Sequence, residues 1–265
     1  MRRYGYLVVE GPHDVEFVAR LLKVYHFDRV RLQRDLEPFW TRLVPEKFPP
    51  DGDLLKRVPV PTFFQNPTHS IAIHAATGIS NLVSRLELSY AALDHELIAS
   101  YGLILDADNT DETPQQRFED LIAKLRQTNI GLPYPARPGE VTATQPAVGV
   151  YILPDNHNSG TLEDILLAGA EVNYSQMVVA AKQYLQAIDY KRLAGEDLRE
   201  FHRPAGRKKA HVSSIAGILK PGRAIQTSIQ DNRWLDGDAM QLPIVREVDK
   251  FLANLLALKQ RQDAY

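Results

Sequence analysis

Apolar residues in the first two thirds of the chain come in short runs that end abruptly, each followed by residues spaced for a helix. Tyr6 to Val9 is a β-rich run. From Asp14 onward Val15, Val18, Ala19 and Leu22 recur at helical spacing, with Pro12 where a first helical turn tolerates it. Ser70 to Ala75 predicts a second strand, Thr77-Gly78 a turn, and Ile79 to Ala99 a helix that presents Leu82, Leu86 and Leu93 inward. Tyr101 to Leu105 predicts the next strand, and Phe118, Leu121, Ile122 and Leu125 the next helix. After a Pro/Gly loop over Gly131 to Pro146, Val148 to Leu153 predicts a further strand, and Thr161 to Leu167 opens a helical stretch. Strands alternating with helices predict an α/β protein built on a parallel, Rossmann-like sheet.

Two regions depart from that alternation. Gln33 to Thr68 is interrupted by Pro38, Pro45, Pro49, Pro50, Pro59, Pro61 and Pro67, with Phe39, Trp40, Phe48, Phe63 and Phe64 between them. So many aromatics predict an ordered insertion, because loose linkers lack them. Beyond about residue 170 no strong strand pattern returns. Met177 to Leu185 and Ile244 to Leu258 read as helices, the latter with an apolar stripe of Ile244, Val248, Phe251, Leu252 and Leu255 that predicts packing back on the core. The expected organisation is an α/β domain over 1–170 with an insertion at about 33–68, and a mainly helical C-terminal region over 171–265 packed on it.

Composition narrows the class. With 265 residues, 44% hydrophobic and 24% charged, the chain holds core material for one large domain or a domain with an appendage. It has no cysteine, which excludes disulfide frameworks and thiolate metal sites. No apolar run approaches the ~18–20 residues of a membrane span, and the stretch before Glu10 is too short for a signal peptide. The expectation is a cytoplasmic protein without a membrane partner. A net charge of -2 gives no global sign of nucleic-acid binding, so any such binding rests on a local patch.

The chemistry lies where the runs stop. Glu10, Asp106, Asp108 and Asp155 fall at predicted strand ends, Asp14 lies one turn beyond Glu10, and Glu163 falls in the first turn after the last strand. In parallel α/β sheets ligands gather outside the carboxyl ends of strands. Hard cations such as Mg²⁺ take oxygen from few carboxylates plus water and phosphate, so the set suits phosphate-ester chemistry. Asp and Asn are also common turn and cap residues, a reading open to Asp106, Asp108, Asp111, Asp155, Asn156 and Asn158.

Glu10-Gly11 after one strand and Asp106-x-Asp108 after a later one resemble the TOPRIM domain of bacterial primases, topoisomerases and overcoming-lysogenization-defect nucleases. Asp14 matches the extra acid of the nuclease branch, and Thr161-Leu162-Glu163 resembles its later Ser/Thr-x-Glu motif. Gly149 to Leu167, Lys209-Ala210 and Trp234 to Asp236 resemble a group of uncharacterised bacterial stand-alone TOPRIM-like proteins. The TOPRIM-like part covers about Arg2 to Ala170. Glu10 and Asp106 lie further apart than in a minimal TOPRIM domain, a departure assigned to the 33–68 insertion. The resemblance implies Mg²⁺ (or Mn²⁺) held by Asp106 and Asp108, with Asp14 and Glu163 assisting or completing a second site. It makes Glu10 a ligand or the general acid/base. It implies a metal-dependent nuclease or other phosphodiester-acting enzyme, or a nucleic-acid binding adaptor that keeps the fold without catalysis. No GxxxxGK[ST] motif accompanies it in this chain. The oligomeric state is left open, a homo-oligomer included.

Between Lys191 and Arg223 basic residues gather, most densely in RPAGRKKAH, Arg203 to His211. This segment reads either as a solvated surface loop or as a contact for DNA or RNA backbone through Arg203, Arg207, Lys208 and Lys209. By the same resemblance one lysine, Lys209, would stabilise transition-state charge. His13, His69, His74 and His157 lack metal-ligand spacing and read as structural or peripheral, with His13 and His157 the two placed near the acids. ILDADNT also resembles the first motif of haloacid-dehalogenase phosphatases, with Asp106 as nucleophile and Asp108 as acid/base. Asn109 stands where that family has Gly, the motif lies mid-chain, and Glu10 is left unexplained.

Overall fold

The structure is a computed structural model that describes residues 2–47, 60–108 and 112–259. It is a mixed α/β fold with a helical C-terminal region. Its six-stranded sheet has the order β2-β3-β4-β1-β5-β6, where β1 is Arg3–Val9, β2 Asp28–Arg29, β3 Thr62–Gln65, β4 His69–Ala75, β5 Ile98–Asp106 and β6 Ala147–Leu153. β1 pairs in parallel with β4 on one side and β5 on the other, with Val9 in register with Ala75 and Ile104. The parallel centre agrees with the Rossmann-like expectation, and β4, β5 and most of β1 and β6 are buried as parallel strands must be.

The chain forms two compact units. One comprises residues 1–105, 118–151 and 251–265, the other 106–117 and 152–250. The boundary expected near residue 170 is not where they part, because α4 (Leu162–Asn173) belongs with the helices that follow it.

In the first unit, α1 (Pro12–Lys23) starts with Pro at its first position and buries Val15, Val18, Leu21 and Leu22. The 33–68 segment supplies β3, which extends the sheet antiparallel to β4, a strand that the surrounding prolines hid. Two of its aromatics, Phe39 and Trp40, pack against strand residues. Phe39 stacks on Tyr4 at 4.2 Å, and Trp40, fully buried, donates its Nε1–H to Ser70 Oγ at 2.8 Å. Phe48, Pro49, Pro50 and Pro59 of that segment lie outside the described residues, as do Asn109, Thr110 and Asp111.

The helix expected over Ile79 to Ala99 is corrected. α2 spans only Leu82–Ala92, the Asp94 side chain caps a 3-10 turn at His95–Leu97, and β5 begins at Ile98. Leu82, Leu86 and Leu93 are buried as expected. α3 is Pro114–Arg126. The last helix, α8, spans Pro243–Leu256, and in the first unit its Phe251 and Leu255 lie on two strand glycines. A Cβ on Gly149 would meet Phe251 at 2.7 Å, and one on Gly102 would meet Leu255 at 2.6 Å. Phe251 and Leu255 therefore pack on the sheet, Val248 and Leu252 are buried as well, and at the start of the helix Ile244 is half-buried while Val245 takes the buried position.

His69 is buried beside Phe27, with its Nε2 2.9 Å from the Leu256 carbonyl and its Nδ1 2.8 Å from Thr68 Oγ1. Burial pushes its pKa below the ordinary value of 6.5, and the carbonyl only partly opposes this. The unfolded chain thus takes up a proton at a higher pH than the folded one. The associated stability is complete above about pH 6.5 and is lost as pH falls towards the folded value. Urea midpoints measured from pH 7.5 to 5 should fall with pH, and His69→Asn should flatten that dependence. His74 is structural as well, 2.9 Å from the Tyr6 hydroxyl, which donates to Ser89 Oγ at 2.5 Å. Burial raises the Tyr6 pKa, so the phenol stays protonated.

Candidate functional site

Each acid was built into place by its own element. In the first unit Glu10 follows the last residue of β1, is half-buried, and its carbonyl accepts from Gly78 N at 3.0 Å. Asp14 is buried at the third position of α1, where Oδ2 accepts from Gly11 N at 2.8 Å. It closes the first turn of that helix, satisfying a backbone donor that the helix itself leaves over.

In the second unit Asp106, the last residue of β5, is 8% exposed, and its Oδ1 accepts from Leu162 N at 2.9 Å. Leu162 opens α4, so the carboxylate satisfies one of the free N–H groups at a helix start and sits at the positive end of its dipole. The next residue, Glu163, is 5% exposed, and its Oε2 is buried without a hydrogen-bond partner among the described residues. A buried carboxylate oxygen in that state costs on the order of 1–3 kcal/mol or more, and a hydrogen-bond donor or a cation would relieve it.

Asp108 has φ +58, in the left-handed region. The loop turn is tied down by Gly160 N, which donates to the Asp108 carbonyl at 3.1 Å. Its carboxylate forms an ion pair with Arg117 of α3. Arg117 is 16% exposed on its side chain and also reaches the Asp106 carbonyl at 3.4 Å and Glu112 Oε2 at 3.3 Å. Sequence reading missed this arginine. Its only signal is a cation in the first helical turn after an acid-rich loop.

Asp155, Asn156 and Asn158 are turn builders. Asp155 accepts from His157 N, Asn158 N and Asn158 Nδ2 at 3.0, 2.7 and 2.7 Å, while Asn156, at φ +66, accepts from Ile152 N. Burial alone would raise the Asp155 pKa, but these hydrogen bonds outweigh it and hold the carboxyl below its ordinary value.

The cationic segment is helical from Gly206 on: α6 spans Gly206–Leu219 and contains Arg207, Lys208 and Lys209, while Arg203 lies in the turn before it. Lys208 reaches Asp164 with Nζ 2.7 Å from Oδ1, and Asp164 Oδ2 accepts from Thr161 N at 2.9 Å at the start of α4. The lysine brought to the α4 terminus is therefore Lys208, while Lys209 is exposed. Helix phase separates the two, since adjacent positions point about 100° apart. Arg203 pairs with Glu200 at 2.9 Å, and Arg207 lies over the Phe201 ring, 5.4 Å from its centroid. The Thr161-x-x-Asp164 spacing is a helix-start signature that could have flagged Asp164.

Within either unit, no group of three or more described His, Asp or Glu side chains forms a ready-made metal cage. The second unit instead offers a strand-end Asp and a buried Glu beside a helix start. That donor set fits Mg²⁺, which is held through one or two carboxylates and completes its shell with water and phosphate, better than it fits Ca²⁺ or Zn²⁺.

The fold is Rossmann-like α/β, with these acids at strand and helix ends. The chain belongs to the family described as protein of unknown function DUF3226, whose model matches residues 4–257. It is also similar to the crystal structure of a hypothetical protein from Pyrococcus horikoshii OT3, at 17% identity and a TM-score of 0.52, over 97% of this chain and 96% of that one. That likeness is one of fold. No curated protein matches the chain. Among the described residues no helix is long and apolar enough to cross a membrane.

Proposed function

We propose that this protein is a TOPRIM-like, Mg²⁺-dependent enzyme acting on phosphodiesters of DNA or RNA. The observation that carries the reading is the buried Glu163 oxygen, without a hydrogen-bond partner among the described residues, one residue after the backbone N–H that Asp106 accepts from. Asp106 and Glu163 would hold the cation, and Asp108 would join when Arg117 turns to a phosphate oxygen. Bound there, Mg²⁺ would offset the negative charge that a phosphate group gains during displacement. Arg117 would add a planar fork of donors suited to the same oxygens. Glu10 enters on its place in the TOPRIM motif, as ligand or as general acid/base. Lys208 orients the start of α4 through Asp164, a positioning role in place of the transition-state role expected of Lys209.

A second reading, a nucleic-acid binding adaptor without catalysis, is favoured by the ion pair between Arg117 and Asp108, which leaves that acid neutralised. One assay separates the two. Cleavage of single- and double-stranded DNA and RNA is measured with Mg²⁺, with Mn²⁺ and with chelator, on the wild type and on Asp106→Asn. Metal-dependent cleavage lost in the variant supports the enzyme. Salt-sensitive binding with no cleavage by either protein supports the adaptor.

A further inference from the structure

The helical unit contains a cavity of about 460 Å³ that the acids do not line. α5 (Ser175–Ala187) contributes Lys182, Leu185 and Gln186 from one face, and α6 contributes Arg207, Lys208 and His211. Leu167, Ile188, Tyr190 and Phe201 complete it. Among the described residues lining it there is no Asp or Glu, against three permanent cations.

The cations are arranged on a rigid frame. Tyr190 and Phe201 stack at 4.5 Å, and the Tyr190 hydroxyl is tied to the Leu185 carbonyl at 2.7 Å. Arg207 lies over Phe201, with its guanidinium carbon 5.4 Å from the ring centroid and within reach of a cation–π contact. Gly206 makes this possible: a Cβ there would run into the Glu200 and Phe201 carbonyls, so only glycine lets that loop close against the start of α6. His211 Nε2, 2.9 Å from the Val178 carbonyl, ties α6 to α5.

Three cations with one partner acid, Asp164, select a doubly charged anion over a single carboxylate. A bare phosphate fills only part of such a volume, and Leu167, Leu185 and Ile188 give the remainder an apolar lining. The amide of Gln186 adds a donor and an acceptor for a polar ring edge. We infer that this cavity binds a phosphate monoester carrying an aromatic body, the class of a nucleoside monophosphate, either free or as the terminal nucleotide of a strand. Arg207, Lys182 and Lys208 take the phosphate. Neither Asp106 nor Glu163 lines the cavity, and Lys208, which also orients the start of α4, is left unchanged in the test, so the outcome is separable from that of the metal site.

The test is calorimetric titration of the full chain with adenosine 5′-monophosphate, adenosine and inorganic phosphate, and with one oligonucleotide carrying either a 5′-phosphate or a 5′-hydroxyl. The monophosphate should saturate a single site, with adenosine and phosphate each about tenfold weaker or worse. Arg207→Gln and Lys182→Gln, both at exposed positions and checked for folding by circular dichroism, should each weaken it about tenfold. A preference of about tenfold or more for the 5′-phosphorylated strand identifies a strand end as the source. Equal binding of the two strands beside a saturable monophosphate identifies a free nucleotide. The inference is overturned if neither the monophosphate nor the phosphorylated strand binds saturably. It is equally overturned if phosphate alone binds as tightly, or if both variants bind like the wild type.

Discussion

Replacing Asp106 by Asn should lower metal-dependent cleavage at least about 100-fold while leaving the fold intact. Removing a group one shell beyond a metal already costs ~10–100-fold, so losing a direct ligand should cost no less. The substitution is nearly isosteric, and the Asn Oδ1 can still accept from Leu162 N, which keeps the first turn of α4 closed. A loss of activity with an unchanged melting temperature therefore reads as lost charge at the site. A variant that cleaves like the wild type removes Asp106 from the mechanism.

The second large effect is structural. Trp234 is fully buried in the helical unit, donates its Nε1–H to Ser228 Oγ at 3.0 Å, and meets the Tyr174 ring edge-on at 6.1 Å. Its carbonyl packs so closely on α4 that a Cβ on Gly169 would collide with it. Trp234→Ala removes the largest side chain of that unit and leaves the buried Ser228 Oγ without the donor it accepts from, which predicts a loss of ~3–5 kcal/mol. For a chain of this size that corresponds to a melting temperature lower by about 6–20 °C, read by circular dichroism. A drop below that range would mean that the packing around Trp234 collapses to fill the space.

The parallel sheet was legible because buried strands are short apolar runs with abrupt polar ends, and the same feature marked the acids. Glu10, Asp106 and Asp108 each stop a run. Glu163 was found through its place after Thr161, although nothing in the chain announces that its carboxylate is buried. The errors have local causes. Leu93 and Leu97 continue the helical spacing of Leu82 and Leu86, so periodicity ran through the break that Asp94 caps. β3 is four residues long and flanked by prolines, and its apolar pair Phe63-Phe64 lacks the alternation of a strand. α6 begins with Gly, Arg and two Lys, so its buried face of Val212, Ile215 and Ala216 emerges only further along. The Arg117 pairing and the choice of Lys208 over Lys209 depend on loop path and helix phase, which composition does not encode.

If the buried Glu163 oxygen is kept for a cation, a melting curve followed through a Mg²⁺ titration will report it. Glu163→Gln preserves the shape and removes the charge. Mg²⁺ should raise the melting temperature of the wild type saturably and leave Glu163→Gln unmoved, with the metal-free variant melting no lower than the metal-free wild type. A wild type that does not respond to Mg²⁺, or a shift that persists in Glu163→Gln, would contradict it.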